Sequence, residues 1–206
     1  MNLYESLLQQ YGTNEPIFSA DISFQNYSRP WIMKQLKVLC EEGKLVRYEK
    51  GVYYIPTKTI FGNSILNPRK VIEKKYIKNG EEILGYYSGL ILQNQFKMTT
   101  QMPNIIEVYT NNETSNVRDI MVGKQKVLLR RARTTITKDN VAVLCFLEMM
   151  NEITPKSLDN DKKNIITDYI STNGITRKDI LSYTNFFPDK VMRNLIESEV
   201  IFNVTQ

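Results

Sequence analysis

The chain has 206 residues, 42% of them hydrophobic and 24% charged, which is typical of a folded globular protein and not of a disordered one. Its formal net charge is +5, and residues 61–150 alone contribute thirteen Lys and Arg against eight Asp and Glu. The absence of histidine excludes Ser-His-Asp and Cys-His catalytic groups and the HExxH zinc site. We expect no membrane span or signal peptide, and the two cysteines favour a reducing cytoplasm over a disulfide framework.

Residues 1–56 predict a winged helix-turn-helix, in which a short hairpin follows the last helix directly. Apolar residues at helical spacing predict a first helix over Leu3–Tyr11, which Gly12 ends. Ser19 is the predicted N-cap of a short second helix that runs to about residue 27. The segments "LVRYEK" and "GVYYIP" predict two strands that turn at Lys50-Gly51.

The third predicted helix would be the one that reads DNA. Ser28 is its expected N-cap, and Pro30 occupies a first-turn position where its missing N–H does no harm. Gly43 ends the helix. Its predicted buried stripe consists of Ile32, Leu36, Leu39 and Cys40.

The side of this helix opposite the stripe carries the candidate contacts with double-stranded DNA. Residues 28–50 hold six basic and three acidic side chains, and the acids cluster away from the start of the helix. The candidate contacts are Ser28, Arg29, Trp31, Lys34 and Lys37 on the helix, with Arg47 and Lys50 on the wing. The alternative is a winged helix used only for protein contact, with a solvated lysine face and a tryptophan at the edge of the core.

Residues 57–152 predict a mixed α+β domain with a small sheet, which makes the whole chain α+β. Asn67 and Pro68 would begin a basic helix, and "ILGYYSGLILQNQF" predicts another. The segments "IIEVYTN", "VRDIMVG" and "KQKVLLRRAR" indicate strands, and "KDNVAVLCFLEMMNEI" an amphipathic helix. Residues 153–206 predict a polar linker and a helical tail of three short helices, with a weak echo of the first helix-turn-helix.

Between Ile120 and Lys138 there are six basic residues and no acid. On a strand, Lys124, Lys126 and Arg130 would share one face, which predicts a basic sheet edge. Two explanations stay open: a functional basic surface, or protection of an exposed edge against aggregation.

No catalytic motif is complete. "VGKQK" lacks the first glycine and the final Ser or Thr of a phosphate-binding loop. Ser88 in "GYYSGL" has no histidine to activate it, and "FGNS" is followed by no close pair of carboxylates for metal ions. We therefore expect no enzyme, no cofactor and no metal.

Three stretches, taken with the predicted winged helix, resemble the AbiE family of antitoxins from bacterial abortive-infection, type IV toxin–antitoxin systems. They are "TKTIFGNSILNPRKVIEKKYI", "GYYSGLILQNQFKMTTQMPNIIEVYTNN" and "VRDIMVGKQKVLLRRAR". The resemblance covers about residues 1–150, and its most specific part is "GYYSGL" with the "TTQMP" that follows.

The resemblance implies a cytoplasmic phage-defence antitoxin that represses its own operon, binding inverted repeats of its promoter as a monomer or dimer. It also implies a nucleotidyltransferase-like toxin, countered by direct contact or through the toxin's target. The family's DNA-reading helix corresponds to residues 28–42 and its wing to residues 45–55. Its basic antitoxin surface corresponds to Arg69, Lys70, Lys74, Lys75, Lys124, Lys126, Arg130, Arg131 and Arg133. The alternatives are a winged-helix interaction module, a plain transcriptional regulator without antitoxin activity, and an unrecognised nucleic-acid enzyme.

Overall fold

The computed structural model describes residues 2–24, 27–60 and 62–204, which form a mixed α+β structure of helices and several small sheets. The chain divides into two compact units, Met1–Lys74 and Lys75–Gln206. These units do not coincide with the predicted domains 1–56, 57–152 and 153–206. The three C-terminal helices belong to the second unit because they share one apolar core with the helix before them.

The first unit contains three helices and five short strands among its described residues. They are α1 (Leu3–Tyr11), β1 (Ile17–Phe18), α2 (Arg29–Glu41), β2 (Val46–Glu49), β3 (Val52–Tyr54), β4 (Lys58–Thr59), β5 (Gly62–Asn63) and α3 (Pro68–Ile72). β1, β3 and β2 form an antiparallel sheet in that order, and β4 pairs with β5. A π-helical turn, Glu73–Ile77, follows α3.

The predictions for α1, for the hairpin and for the start of α3 are confirmed. Asn2 and Glu5 form a capping box at the start of α1, each side chain accepting a hydrogen bond from the other residue's backbone N–H. Gly12 ends α1 with a φ of 73°. The Asn67 side chain accepts from the backbone N–H of Arg69 and so caps α3.

The second helix predicted from Ser19 is wrong over residues 19–24, while residues 25 and 26 of that prediction lie outside the described residues. Ile17 and its neighbour are extended and pair with β3. The backbone N–H of Ser19 donates to the Gly51 carbonyl at 2.8 Å. The β1–β3 pairing and this hydrogen bond hold the chain extended up to Ser19, and residues 19–24 continue as a turn and irregular chain.

The third predicted helix is α2, and most of its predicted stripe is buried. Ile32, Leu36 and Leu39 lie in the core of the first unit, together with Leu7 of α1, whereas Cys40 is only partly buried. The buried stripe fixes the rotation of α2 about its own axis.

Among its described residues, the second unit has a four-stranded sheet and five α-helices. Its elements are β6 (Lys78–Asn79), β7 (Glu82–Ile83), β8 (Gly85–Ser88), α4 (Gly89–Gln95), β9 (Ile105–Thr110), β10 (Val117–Val122), β11 (Gln125–Arg131), α5 (Val141–Glu152), α6 (Asn160–Thr172), α7 (Arg177–Thr184) and α8 (Asp189–Glu197), with 3₁₀ turns at Pro155–Ser157 and Val200–Asn203. The sheet order is β10-β11-β9-β8, and only the β11–β9 pair is parallel. β6 and β7 form a separate hairpin.

The core of the second unit forms around α5. Phe146 and Leu147 are fully buried, and α6, α7 and α8 contribute Ile166, Ile180 and Leu195 to the same cluster. The three predicted C-terminal helices are therefore confirmed. The helix predicted over "ILGYYSGLILQNQF" is wrong for residues 85–88, which form β8 and pair with β9.

Gly85 in β8 is required by a close backbone approach, since an added Cβ would lie 2.2 Å from the Tyr76 carbonyl oxygen and 2.3 Å from that of Tyr109. We expect Gly85→Ala to lower the free energy of unfolding by about 3 kcal/mol. Gly174→Ala is the control, because an added Cβ there would have no atom within 4 Å and only the positive φ of +60° is unfavourable. We expect it to lower the free energy of unfolding by about 1 kcal/mol. Urea unfolding followed by circular dichroism measures both, and equal losses would contradict the role of Gly85.

Candidate nucleic-acid interface

The outward face of α2 follows from the apolar stripe that the helix buries. Because Ile32 and Leu36 point into the core, residues on the opposite side reach solvent. Met33, Lys34 and Lys37 are all exposed and lie within about one turn of each other. This face therefore presents two ammonium groups beside one flexible apolar side chain.

A groove of about 540 Å³ lies between α2 and the hairpin that follows it. The groove is lined by Met33, Lys37, Cys40, Glu41, Arg47 and Tyr53. Arg47 belongs to β2, so the first strand of the hairpin brings a guanidinium to the groove that Lys37 lines from the helix. We name this surface the α2–hairpin face and define it by Met33, Lys34, Lys37 and Arg47.

The cations of the α2–hairpin face are available to a ligand. Among the described residues, Lys34 and Arg47 have no acidic partner within 4.0 Å. Lys37 lies 3.8 Å from Glu41, but their side chains are 79% and 64% exposed. Exposed pairs of this kind contribute less than about 1 kcal/mol, so a phosphate can replace Glu41 as the partner of Lys37.

Arg29 and Trp31, both predicted DNA contacts, make contacts inside the first unit. The Arg29 guanidinium donates a hydrogen bond to the Ser19 carbonyl. The partly buried Trp31 indole stacks on Tyr27, with ring centroids 4.1 Å apart and planes within 12° of each other. Both contacts join the start of α2 to the segment before it and so fix the position of the helix.

The two remaining predicted contacts, Ser28 and Lys50, are exposed, as is Arg29. Ser28 occupies the N-cap position of α2, as expected, but its hydroxyl makes no capping hydrogen bond to the helix. Lys50 lies at the turn between β2 and β3. Both positions are accessible to a phosphate backbone.

The predicted antitoxin surface is divided between the two units and is partly neutralised within each. In the first unit, Lys70 forms an ion pair with Glu15. Lys74 lies 4.0 Å from Asp21, and burial lowers the pKa of its ammonium. Arg69 is exposed.

In the second unit, the predicted basic sheet edge is wrong because β11 lies between β10 and β9. Lys126 is 3.6 Å from Asp119 on β10, and Arg130 is 3.1 Å from Glu107 on β9. These charges offset one another across the sheet, so edge protection does not explain them. Lys75, Lys124, Lys126 and Arg131 are exposed.

Arg133 belongs to a buried polar cluster that sequence reasoning does not find. Its Nη2 donates to the Tyr109 hydroxyl at 2.7 Å and to Glu148 Oε2 at 3.3 Å. Glu148 Oε1 accepts from the Ser88 hydroxyl at 3.0 Å, and its side chain is only 2% exposed. In the sequence, this cluster is indicated only by Glu148, the one carboxylate inside the apolar run "VAVLCFLEMM" of α5. A buried charge requires a partner, so this residue predicts a nearby cation.

No family model matches the chain, and no curated protein matches its sequence. In the described ranges, every helix is too short or too polar to cross a membrane. The same ranges contain no group of three or more Cys, Asp or Glu side chains able to hold a metal ion. The functional assignment rests on the geometry of the α2–hairpin face.

Arg133 is partly buried and pairs with the buried Glu148, whereas Arg131, two residues away, is exposed. Arg133→Met leaves the Glu148 carboxylate buried without its cation, so we expect the free energy of unfolding to fall by about 3 kcal/mol. The control Arg131→Met should change it by less than about 0.5 kcal/mol. Urea unfolding measures both changes.

A double variant tests the reason for that loss. Arg133→Met with Glu148→Leu removes both charges and should recover most of the stability. If the double variant is less stable than Arg133→Met alone, the buried ion pair is not the cause.

Proposed function

We propose that the chain is an AbiE-type antitoxin whose first unit is a winged helix that binds the promoter of its own operon. The observation that carries this proposal is the α2–hairpin face, where cations from a helix and from the strand after it share one groove. The order of the elements supports a winged helix, since the β2–β3 hairpin follows α2 directly and β1 completes a sheet with it.

In the proposed complex, α2 enters the major groove of double-stranded DNA, which is wide enough for an α-helix. Lys34 and Lys37 reach phosphates or guanine edges, and Met33 offers an apolar contact for a thymine methyl group. Arg47 and Lys50 contact the flanking phosphates, which fix the register of the protein without reading sequence.

The helix that a helix-turn-helix places before its reading helix is absent from residues 19–24. Its supporting role falls to the contacts before α2, namely the Arg29–Ser19 hydrogen bond and the Trp31–Tyr27 stack. Substitution of these residues would weaken DNA binding by moving α2, whereas substitution of Lys34 would remove a contact.

The second unit is the proposed antitoxin part. The AbiE resemblance of residues 85–133 supports this assignment and makes a nucleotidyltransferase-like toxin, or its target, the proposed partner. Because Lys126, Arg130 and Arg133 already have acidic partners, recognition there depends on shape and a few exposed cations more than on a long basic stripe. Both activities belong in the bacterial cytoplasm.

Exposed apolar residues near the C-terminus favour a second candidate function, contact with a partner protein. The side chains, which are 45% to 63% exposed, are Leu181, Phe186, Ile196 and Phe202. Large apolar side chains at a surface are typical of interaction sites when they cluster. Co-purification with the product of the neighbouring gene, without DNA binding, would favour this function.

Alanine at Lys34, Lys37 or Arg47 should weaken binding to the DNA upstream of the gene. Each variant loses a phosphate or base contact, so we expect a loss on the order of tenfold at low salt and a salt dependence reduced by about one ion. Fluorescence anisotropy at several salt concentrations measures both quantities.

Lys44→Ala is the matched control, because Lys44 lies beyond the end of α2 and does not line the groove, and its ammonium is 2.8 Å from Glu42. Glu41→Gln is the opposite test: it removes a negative charge from the groove and should tighten binding. Equal affinity for wild type and all three alanine variants would rule out the α2–hairpin face as the DNA-binding surface.

Repression of the promoter and protection from the toxin should be separable by mutation. A triple Lys34→Ala, Lys37→Ala, Arg47→Ala variant should lose repression of a promoter reporter yet still protect cells that express the neighbouring toxin, because the second unit is unchanged. Reporter output and colony survival measure the two effects in one strain. Loss of protection in a correctly folded triple variant would contradict the division of roles.

A further inference from the structure

The parallel pairing of β9 with β11 brings two loops to the same edge of the second unit's sheet. Parallel neighbours end on one side, so the loop after Thr110 meets the loop after Arg131. The backbone N–H of Ala132 donates to the Thr110 carbonyl at 3.2 Å, which joins the two loops at their start. Between them lies a crevice of about 380 Å³, lined by Asn111, Glu113, Thr114, Arg131, Ala132, Thr134 and Thr135.

Side-chain hydrogen bonds hold these loops in place before any ligand arrives. The Asn111 amide donates to the Ile136 carbonyl at 2.8 Å and accepts from the Ile136 N–H at 2.9 Å. Asn140 does the same for the next part of the loop, accepting from the Thr137 N–H and donating to the Thr135 carbonyl. The crevice is therefore pre-organised, which lowers the entropic cost of binding.

The carboxylate that lines the crevice already has hydrogen-bond donors. Glu113 Oε1 accepts from the backbone N–H groups of Thr114 and Ser115, and its Oε2 accepts from Arg118 Nε at 2.7 Å. Burial alone would raise the pKa of Glu113, but these hydrogen bonds and the Arg118 charge outweigh burial and lower it. The Glu113–Arg118 pair adds no net charge.

The groups left open can all donate hydrogen bonds. Among the described residues, no hydrogen bond or ion pair engages the Arg131 guanidinium or the hydroxyls of Thr114, Thr134 and Thr135. Because the paired Glu113 is neutralised, Arg131 gives the crevice a net positive charge. One guanidinium and three hydroxyls fit a group with several acceptor oxygens.

We propose that this crevice binds the phosphate group of a small phosphorylated molecule. Arg binds phosphate through two parallel charge-assisted hydrogen bonds, and the hydroxyls can donate to the remaining terminal oxygens. A carboxylate has only two oxygens and would leave part of this donor set unused. The site goes beyond the proposed DNA binding, because it is built wholly from the second unit.

The test uses the full chain and three probes: inorganic phosphate, pyrophosphate and ADP. Amide NMR shifts are followed while each probe is added at constant ionic strength. We expect saturable shifts centred on residues 111–116 and 131–137 for at least one probe. Arg131→Gln should weaken that binding by roughly tenfold or more, since it removes a charge-assisted bidentate contact.

Arg193→Gln is the matched control, because Arg193 is an exposed arginine of α8 in the same unit. It should leave the affinity unchanged. A Thr134→Val, Thr135→Val double variant should weaken binding several-fold without altering the amide spectrum elsewhere, which distinguishes lost donors from lost folding.

Two results would overturn the proposal. The first is shifts that do not saturate, or that weaken equally in Arg131→Gln and Arg193→Gln, which indicate general charge screening. The second is Arg131-dependent binding of a single-stranded oligonucleotide with no binding of the three small probes, which would make the crevice a nucleic-acid contact.

Discussion

The burial of one apolar stripe on α2 determines the proposed function of the first unit. Ile32, Leu36 and Leu39 pack in the core with α1 and the small sheet, and this contact leaves the helix one possible orientation about its axis. Lys34 and Lys37 must then face solvent, beside the strand that carries Arg47. The DNA-binding proposal thus depends on an apolar contact as much as on the cations it exposes.

Basic residues in a sequence are not equivalent to a basic surface. Many residues of the predicted antitoxin surface have an acidic partner, among them Lys70, Lys74, Lys126, Arg130 and Arg133. The partner of Arg130 is Glu107, 23 residues earlier, which the parallel pairing of β9 with β11 brings within 3.1 Å. Such distant pairing depends on strand register, so counting charges along "KQKVLLRRAR" could not reveal it.

Sequence patterns predict a helix or strand correctly when the interactions that form it lie within a few residues of one another. The capping box of α1, the Asn67 cap of α3 and the periodicity of α5 are all encoded within a few residues. The errors occur where a distant strand decides the conformation. Residues 85–88 form a strand because β9 supplies hydrogen-bond partners, and residues 19–24 are not helical because the chain leaves β1 with the Ser19 N–H bonded to Gly51 of the hairpin. The crevice between residues 111 and 135 exists only because two parallel strands end together. The outward lysines of α2 were predictable, but the internal contacts of Arg29 and Trp31 depend on the turn that replaces the second helix.

Amide NMR of the full chain with the DNA upstream of the gene tests the central claim most directly. The proposed winged helix predicts that the largest shifts fall on residues 33–37 and 47–50, with smaller shifts at Tyr27 and Trp31 where α2 is held. It also predicts that these shifts disappear as salt is raised, because phosphate contacts release counterions. Shifts concentrated on residues 124–131, with residues 33–37 unchanged, would contradict the assignment of α2 as the DNA-reading helix.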